Sequence, residues 1–292
     1  MAQIETYPDT DLRERDQVAD FVVIGAMRAG TTSLHNTLSG VDGLSLPRMK
    51  ETDFFIDSKN WDRGRAWYES LFSKDQDRLR GEVCPNYAKR DVFPEVPRHI
   101  HALAPDIRIV YIVRDPVERA ISHYRHTWIS TGDVPAPDAL ENTWEERHIL
   151  ATSRYAWQLQ PWLDYFDREQ LRIIDFDTLV QEPAREIHAL ARHIGLDCGA
   201  AVSALADDNS SEDVARMPRW WHAMRNTPLG MTARSLAPTR LVSAVRSRIK
   251  SRDVDDVPDL SSPVRDRFKA YLEDDAKAFR KMTGLDFPNW SV

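Results

Sequence analysis

The sequence predicts a three-layer α/β fold, with a central parallel sheet covered by helices on both faces. Three apolar runs carry this reading: Phe21–Ile24, Ile107–Val113 and Leu171–Phe176 are rich in β-branched residues and have the length of buried strands. Segments with helical spacing alternate with them, and strands apolar on both faces mark a parallel sheet. A length of 292 residues lies near the upper limit of what one core organises. One domain over 21–292 is therefore expected, after a loose polar arm at 1–20. Ligands of such sheets bind outside the carboxyl ends of the strands, so the chemistry is sought just after each apolar run.

Taken in order, Phe21–Ile24 ends at Gly25. From Thr31 the period changes, Leu34, Thr37 and Leu38 share a helical face, and Gly40 closes the helix. The second strand, Ile107–Val113, leads to Pro116 at a helix start, with Val117, Ala120, Ile121 and Tyr124 at helical spacing. The third strand, Leu171–Phe176, lies between a Trp-rich helical stretch (Tyr155–Phe166) and a helix after Pro183 that holds Ile187, Leu190, Ala191 and Ile194.

Composition narrows the function. Hydrophobic residues make up 42% and charged residues 29%, values of a soluble globular chain. No apolar run approaches the roughly 20 residues of a membrane helix, and Met1–Asp20 lacks the basic start and apolar stretch of a secretory signal. Cys84 and Cys198 make no disulfide framework, and nine scattered histidines add no zinc spacing. A reduced, cytoplasmic protein is expected. The net charge of −7 argues against nucleic acid as a partner. Yet a basic segment spans 214–252: no acidic residue separates Asp213 from Asp253, while Arg216, Arg219, Arg225, Arg234, Arg240, Arg246, Arg248, Lys250 and Arg252 fall between them. Within it, over 240–252, Leu241, Val242, Val245 and Ile249 form an apolar helical stripe. That pattern suits peripheral contact with an anionic membrane, or, more simply, a helix packed on the core with its arginines in water.

The segment after the first strand, Gly25-Ala26-Met27-Arg28-Ala29-Gly30-Thr31-Thr32-Ser33, suits an oxyanion. Glycines let the backbone approach, the helix N-terminus offers amides and a favourable dipole, and three hydroxyls add donors. Gly25 and Gly30 have the spacing of a nucleoside triphosphatase loop, but Thr31 stands at the lysine position and Arg28 is the loop's cation. After the second strand, Arg114 precedes Asp115, so the usual magnesium aspartate is displaced. A metal-free anion site fits this pattern better than a kinase or nucleotide hydrolase. Arg114 and, eight residues on, Ser122 offer a forked charge-assisted contact and a hydroxyl for a second phosphate.

Together the two segments resemble those of the P-loop sulfotransferases that use 3′-phosphoadenosine 5′-phosphosulfate (PAPS). The first is similar to that family's 5′-phosphosulfate loop, with Arg28 where lysine is usual. Arg114-Asp115-Pro116-Val117-Glu118-Arg119-Ala120-Ile121-Ser122-His123-Tyr124 is similar to its 3′-phosphate motif. Lys50-Glu51-Thr52-Asp53-Phe54-Phe55 and Gly81-Glu82-Val83-Cys84-Pro85-Asn86-Tyr87 resemble segments of the bacterial and heparan-type carbohydrate branch, as do Arg154-Tyr155-Ala156 and Thr283–Trp290. Asp53 stands where histidine is usual, Cys84 where serine is, and Val83 where the heparan-type enzymes carry lysine.

The resemblance implies a sulfotransferase moving the sulfuryl group of PAPS to an acceptor hydroxyl on a carbohydrate, glycolipid or small metabolite. PAP would be the product, and no metal would be required. It implies Glu51 as general base and Arg28 as electrostatic stabiliser of the sulfuryl group. Arg28, Ala29, Gly30, Thr31, Thr32 and Ser33 would hold the 5′-phosphate, and Arg114 and Ser122 the 3′-phosphate. Arg216 or Arg219 would reach the 3′-phosphate from a loop that closes over the nucleotide. Glu82 is the reserve base or acceptor-orienting residue. A relative that binds nucleotide without turnover is the non-enzymatic alternative.

Overall fold

The computed structural model describes residues 17–75, 77–131, 134–196 and 257–292. Arg216, Arg219, Cys198, the basic segment 214–252 and its stripe at 240–252 lie outside the described residues. Five strands form one parallel sheet: β1 (Phe21–Gly25), β2 (Leu44–Ser45), β3 (Leu79–Val83), β4 (Arg108–Val113) and β5 (Leu171–Asp175), in the order β2-β3-β1-β4-β5. The chain leaves β1 toward one edge and later crosses to the other side of β1. This reversal opens a crevice at the carboxyl ends of β1, β3 and β4.

Nine helices of four residues or more are described: α1 (Thr31–Ser39), α2 (Gly64–Glu69), α3 (Val96–Leu103), α4 (Pro116–Ser130), α5 (Trp144–Ala151), α6 (Tyr155–Leu163), α7 (Phe176–Gln181), α8 (Pro183–Ile194) and α9 (Ser262–Thr283). Every residue of β1 is buried, as is β4 from Ile109 on, so both faces of the sheet are covered. A second apolar cluster joins α4, α5 and α9 through Val117, Ile121, Tyr124, Ile149, Val264, Phe268 and Leu272. No helix among the described residues is long and apolar enough to cross a membrane.

The three predicted strands are present, each within a residue of its expected bounds, and Phe176 starts α7 instead of ending β5. The α6 helix stops at Leu163, short of Phe166. The arm differs near its end. Val18 and Ala19 are buried, Val18 N–H donates to Leu103 O, and Asp20 bridges Arg80 and Arg108 through its backbone. Residues 17–20 therefore belong to the packed body.

Of the two strands the sequence did not announce, β2 and β3, the longer is β3. Its run Leu-Arg-Gly-Glu-Val carries two charges and a glycine, which mask the apolar pattern. Both charges are nonetheless buried, Arg80 at 7% and Glu82 at 1% exposure. Gly81 is required there because the Phe21 ring lies about where a side chain would begin, 2.2 Å from the position of a Cβ. Beta-branching elsewhere in the sheet is replaced here by one strand lending its aromatic ring to the next.

Candidate active site

The loop after β1 folds as the sequence suggests. Gly30 takes a left-handed conformation (φ 90°) and caps α1 with no side-chain bond, and α1 has no acidic residue in its first turn. The helical ladder begins with Leu34 N–H to Gly30 O, so the amides of Thr31, Thr32 and Ser33 precede it. Thr31 is buried, Thr32 exposed and Ser33 between the two, while Ala29 is buried under the turn. A Cβ at Gly30 would lie 2.8 Å from the Phe176 ring, so glycine is demanded by space as well as by φ.

Arg28 is a non-glycine residue with φ 75°, a conformation that costs about 1 kcal/mol. Its Nε donates to Ser122 Oγ at 3.1 Å, across 94 residues of sequence. The two halves of the expected nucleotide site are thus joined in one contact. Arg114, at the end of β4, stacks over Phe176 with its guanidinium carbon 5.3 Å from the ring centre, on the ring that also fills the space at Gly30. Its Nη2 lies 3.8 Å from Glu118, too far for a hydrogen bond and between partly exposed groups, so this ion pair is weak. Asp115 does not pair with Arg114. It caps α4 by accepting from Val117 N–H (2.8 Å) and Glu118 N–H (2.9 Å), and it also accepts from Ser291 N–H of the C-terminal tail.

Beneath the loop lies Arg119, which is 0% exposed. It donates to Ser153 Oγ (2.7 Å), Ile149 O (2.6 Å) and the loop's own Met27 O (3.3 Å), and its Nη2 meets His123 Nδ1 at 3.2 Å. No carboxylate of the described residues forms an ion pair with it. Burial lowers its pKa to about 10, so it remains charged at neutral pH. Burial first, and then Arg119, push the His123 imidazole well below its usual range. His123 is thereby a neutral acceptor inside the fold. His126 is half-buried, and its pKa too is lowered by burial.

The other side of the crevice is built by residues 50–60 and the turn after β3. Glu51 and Asp53 both have positive φ, 66° and 52°, flanking the buried Thr52. Three sets of bonds hold this shape. Lys50 pairs with Glu51 Oε1, and Glu51 is 36% exposed. Asp53 pairs with Lys59, and its Oδ1 accepts from Asn86 Nδ2 (2.8 Å) and Cys84 Sγ (3.2 Å). Thr52 Oγ1 donates to Glu82 Oε2 at 2.6 Å, and its carbonyl accepts from Asn60.

Glu82 is turned into the fold. It accepts three hydroxyl bonds, from Thr52, Tyr87 (2.6 Å) and Tyr68 (3.1 Å). Burial lifts its pKa to about 7 against those bonds, which pull it down. Its role in the fold is to fix the turn that presents Glu51. The residues Asp53 and Cys84, which interrupt the sequence pattern separately, are hydrogen-bonded to each other. Of the tryptophans, Trp162 is core, whereas Arg90 and Arg154 stack on the partly exposed Trp157.

Two neighbours of Glu51 escaped sequence reasoning. Lys89 is half-buried, and burial lowers its pKa while Glu51 is the first charge that raises it. His35, on α1, has its pKa lowered to about 4 by burial and then by Lys50, and its buried Nδ1 has no hydrogen bond. Neither carries a sequence signal, because both reach the site only through the sheet order.

Comparison with known proteins agrees with this architecture. The sulfotransferase domain family matches residues 19–217. Heparan sulfate glucosamine 3-O-sulfotransferase 6 of Mus musculus is 28% identical over 279 residues, covering 91% of this chain and 72% of its own. The Homo sapiens protein of the same name is 32% identical over 188 residues, covering 60% of this chain and 52% of its own, so the chain spans about half of that relative. A sulfotransferase from Alicyclobacillus acidocaldarius superposes with a TM-score of 0.61 at 19% identity, covering 94% of this chain and 99% of that one.

Proposed function

The chain belongs to the sulfotransferase domain family, and from that premise we propose that it moves the sulfuryl group of PAPS to a hydroxyl of a carbohydrate acceptor. The observation that carries the donor is the Arg28–Ser122 hydrogen bond, which joins the loop after β1 to the helix after β4. The residues fit a bisphosphorylated nucleotide. Amides of Thr31, Thr32 and Ser33 at the start of α1 suit the 5′-phosphate, with Arg28 beside them. Arg114 and Ser122 suit the 3′-phosphate, and buried Arg119 adds positive potential under the loop. Bound PAPS supplies a sulfuryl group on a phosphate leaving group.

Glu51 serves as general base in this reading. Lys50 occupies Oε1, whereas Oε2 has no hydrogen bond among the described residues and can take the acceptor's proton. Glu82, with Tyr87 and Thr52, holds the backbone turn that carries Glu51. Arg28 acts by charge alone, since a guanidinium keeps its protons. The similarity to proteins named for heparan sulfate supports a glycan acceptor over a small metabolite or a glycolipid.

Thermal melting tests the donor. Adenosine 3′,5′-bisphosphate without metal, at a hundredfold over Kd, should stabilise the protein by about 2.7 kcal/mol, a shift of a few degrees. Arg114→Ala should lose the shift. ATP with magnesium stabilising in its place would sink the proposal. The acceptor is tested by transfer of labelled sulfate from PAPS to undersulfated heparan-type oligosaccharides. Binding of the bisphosphate without transfer to glycan, glycolipid or hydroxylated metabolite would leave a nucleotide-binding relative.

A further inference from the structure

Lys89 is the charged group of the crevice that neither the fold nor the proposed function uses. The turn that carries it, after β3, is closed by Tyr87 N–H to Cys84 O (3.1 Å) and Lys89 N–H to Asn86 O (3.0 Å). That turn is clamped to β1 beside the phosphate loop: Ala88 N–H donates to Ile24 O at 3.0 Å, and the Ala88 methyl lies 3.0 Å from where Gly25 would carry a Cβ. The side chain of Lys89 is half-buried, yet its ammonium has no hydrogen bond or ion pair among the described residues. The groups that act on it electrostatically come from every side. They are Glu51 from the turn opposite, Cys84 from its own turn, Lys59 from the segment after Glu51, and Arg119 from α4. Its charge is felt in return by His123 and His126 of α4, the helix that also presents Ser122 to Arg28. A half-buried ammonium with no hydrogen bond or ion pair among the described residues, within electrostatic reach of both Glu51 and Arg119, is placed to meet an anion brought into the crevice.

We propose that Lys89 is a catalytic residue, whose ammonium contacts the sulfuryl group as it passes from donor to an acceptor held at Glu51. This rests on the donor and base assigned above. In the step, the acceptor oxygen forms a bond to sulfur while the bond from sulfur to the 5′-phosphate oxygen breaks. The electron pair of the broken bond stays on the phosphate, and the acceptor's proton goes to Glu51. Lys89 keeps its protons and meets the charge that spreads over the sulfuryl oxygens. Arg28 has its Nε committed to Ser122, which leaves its Nη groups for the sulfuryl oxygens.

Two measurements on the full-length protein test this. In steady-state transfer, Lys89→Met should lower kcat on the order of 100-fold, with Lys89→Arg recovering part of it. The affinity for adenosine 3′,5′-bisphosphate should change by less than about threefold. An unchanged kcat overturns the proposal, and so does a loss of bisphosphate affinity that matches the loss of turnover, which would make Lys89 a nucleotide ligand. The second measurement needs no acceptor: NMR of the protein with ¹³C-methylated lysines, with the Lys89 resonance identified by its absence in Lys89→Arg. PAPS should raise the Lys89 pKa more than the bisphosphate does. Binding of PAPS with no response at Lys89 overturns the proposal and leaves the donor reading standing; no binding of PAPS overturns both.

Discussion

The two walls of the crevice are made differently. The wall proposed for the nucleotide consists of two strand-to-helix turns in which the strand ends, the cap and the proposed ligand groups follow one another directly in sequence. Gly30, Thr31 and Thr32 are neighbours in the chain, and Arg114 to Ser122 lie on one turn and helix. The wall proposed for the acceptor is a lattice of side chains: Glu51, Thr52 and Asp53 are held by Lys50, Lys59, Glu82, Cys84, Asn86 and Tyr87. The first wall is rigid because backbone geometry makes it so. The second is rigid because buried polar groups satisfy one another, and it is correspondingly exposed to changes in protonation.

That contrast can be broken at the base first. Glu51→Gln should reduce turnover by about 10² to 10⁴-fold while bisphosphate affinity stays at the wild-type value, measured by calorimetry and steady-state transfer. A parallel fall in affinity would mean the two walls are not separate. A subtler break comes through Glu82, whose folded pKa of about 7 lies above its unfolded value. The folded state holds the proton that the unfolded state releases, so this group's stabilising contribution is complete below about pH 4.5 and lost as pH rises through 7. Wild-type stability should therefore decline across that interval by roughly 3 kcal/mol at most, and Glu82→Gln should flatten the decline in a series of melts. The smallest effect is expected at Cys84→Ser. A hydroxyl can replace the thiol as donor to Asp53, so stability should stay within about 1 kcal/mol of wild type by denaturant titration. A larger loss would mean that sulfur packing, and not the hydrogen bond, holds the turn.

The same contrast explains what could be read in advance. The apolar runs of β1, β4 and β5 and the helix starts at Thr31 and Pro116 announce themselves because local sequence determines them. The loop cation and Ser122 were legible by pattern, though only the fold brings them to 3.1 Å. Strand β3 was hidden because its alternate residues serve the acceptor wall: Glu82 looks like a surface charge until three hydroxyls converge on it. The pairing of Asp53 with Cys84, the burial of His123 and the position of Lys89 depend on segments that meet only through the order of the sheet. No periodicity in one chain records such meetings.

Arg119 has a consequence beyond the crevice. A guanidinium sealed in the interior, held by Ser153, Ile149 and Met27 with no ion-pair carboxylate among the described residues, keeps a positive charge under the loop that an anion can oppose. An anionic nucleotide above Met27 would supply that opposition, and whatever it gains in affinity the folded chain gains in lifetime.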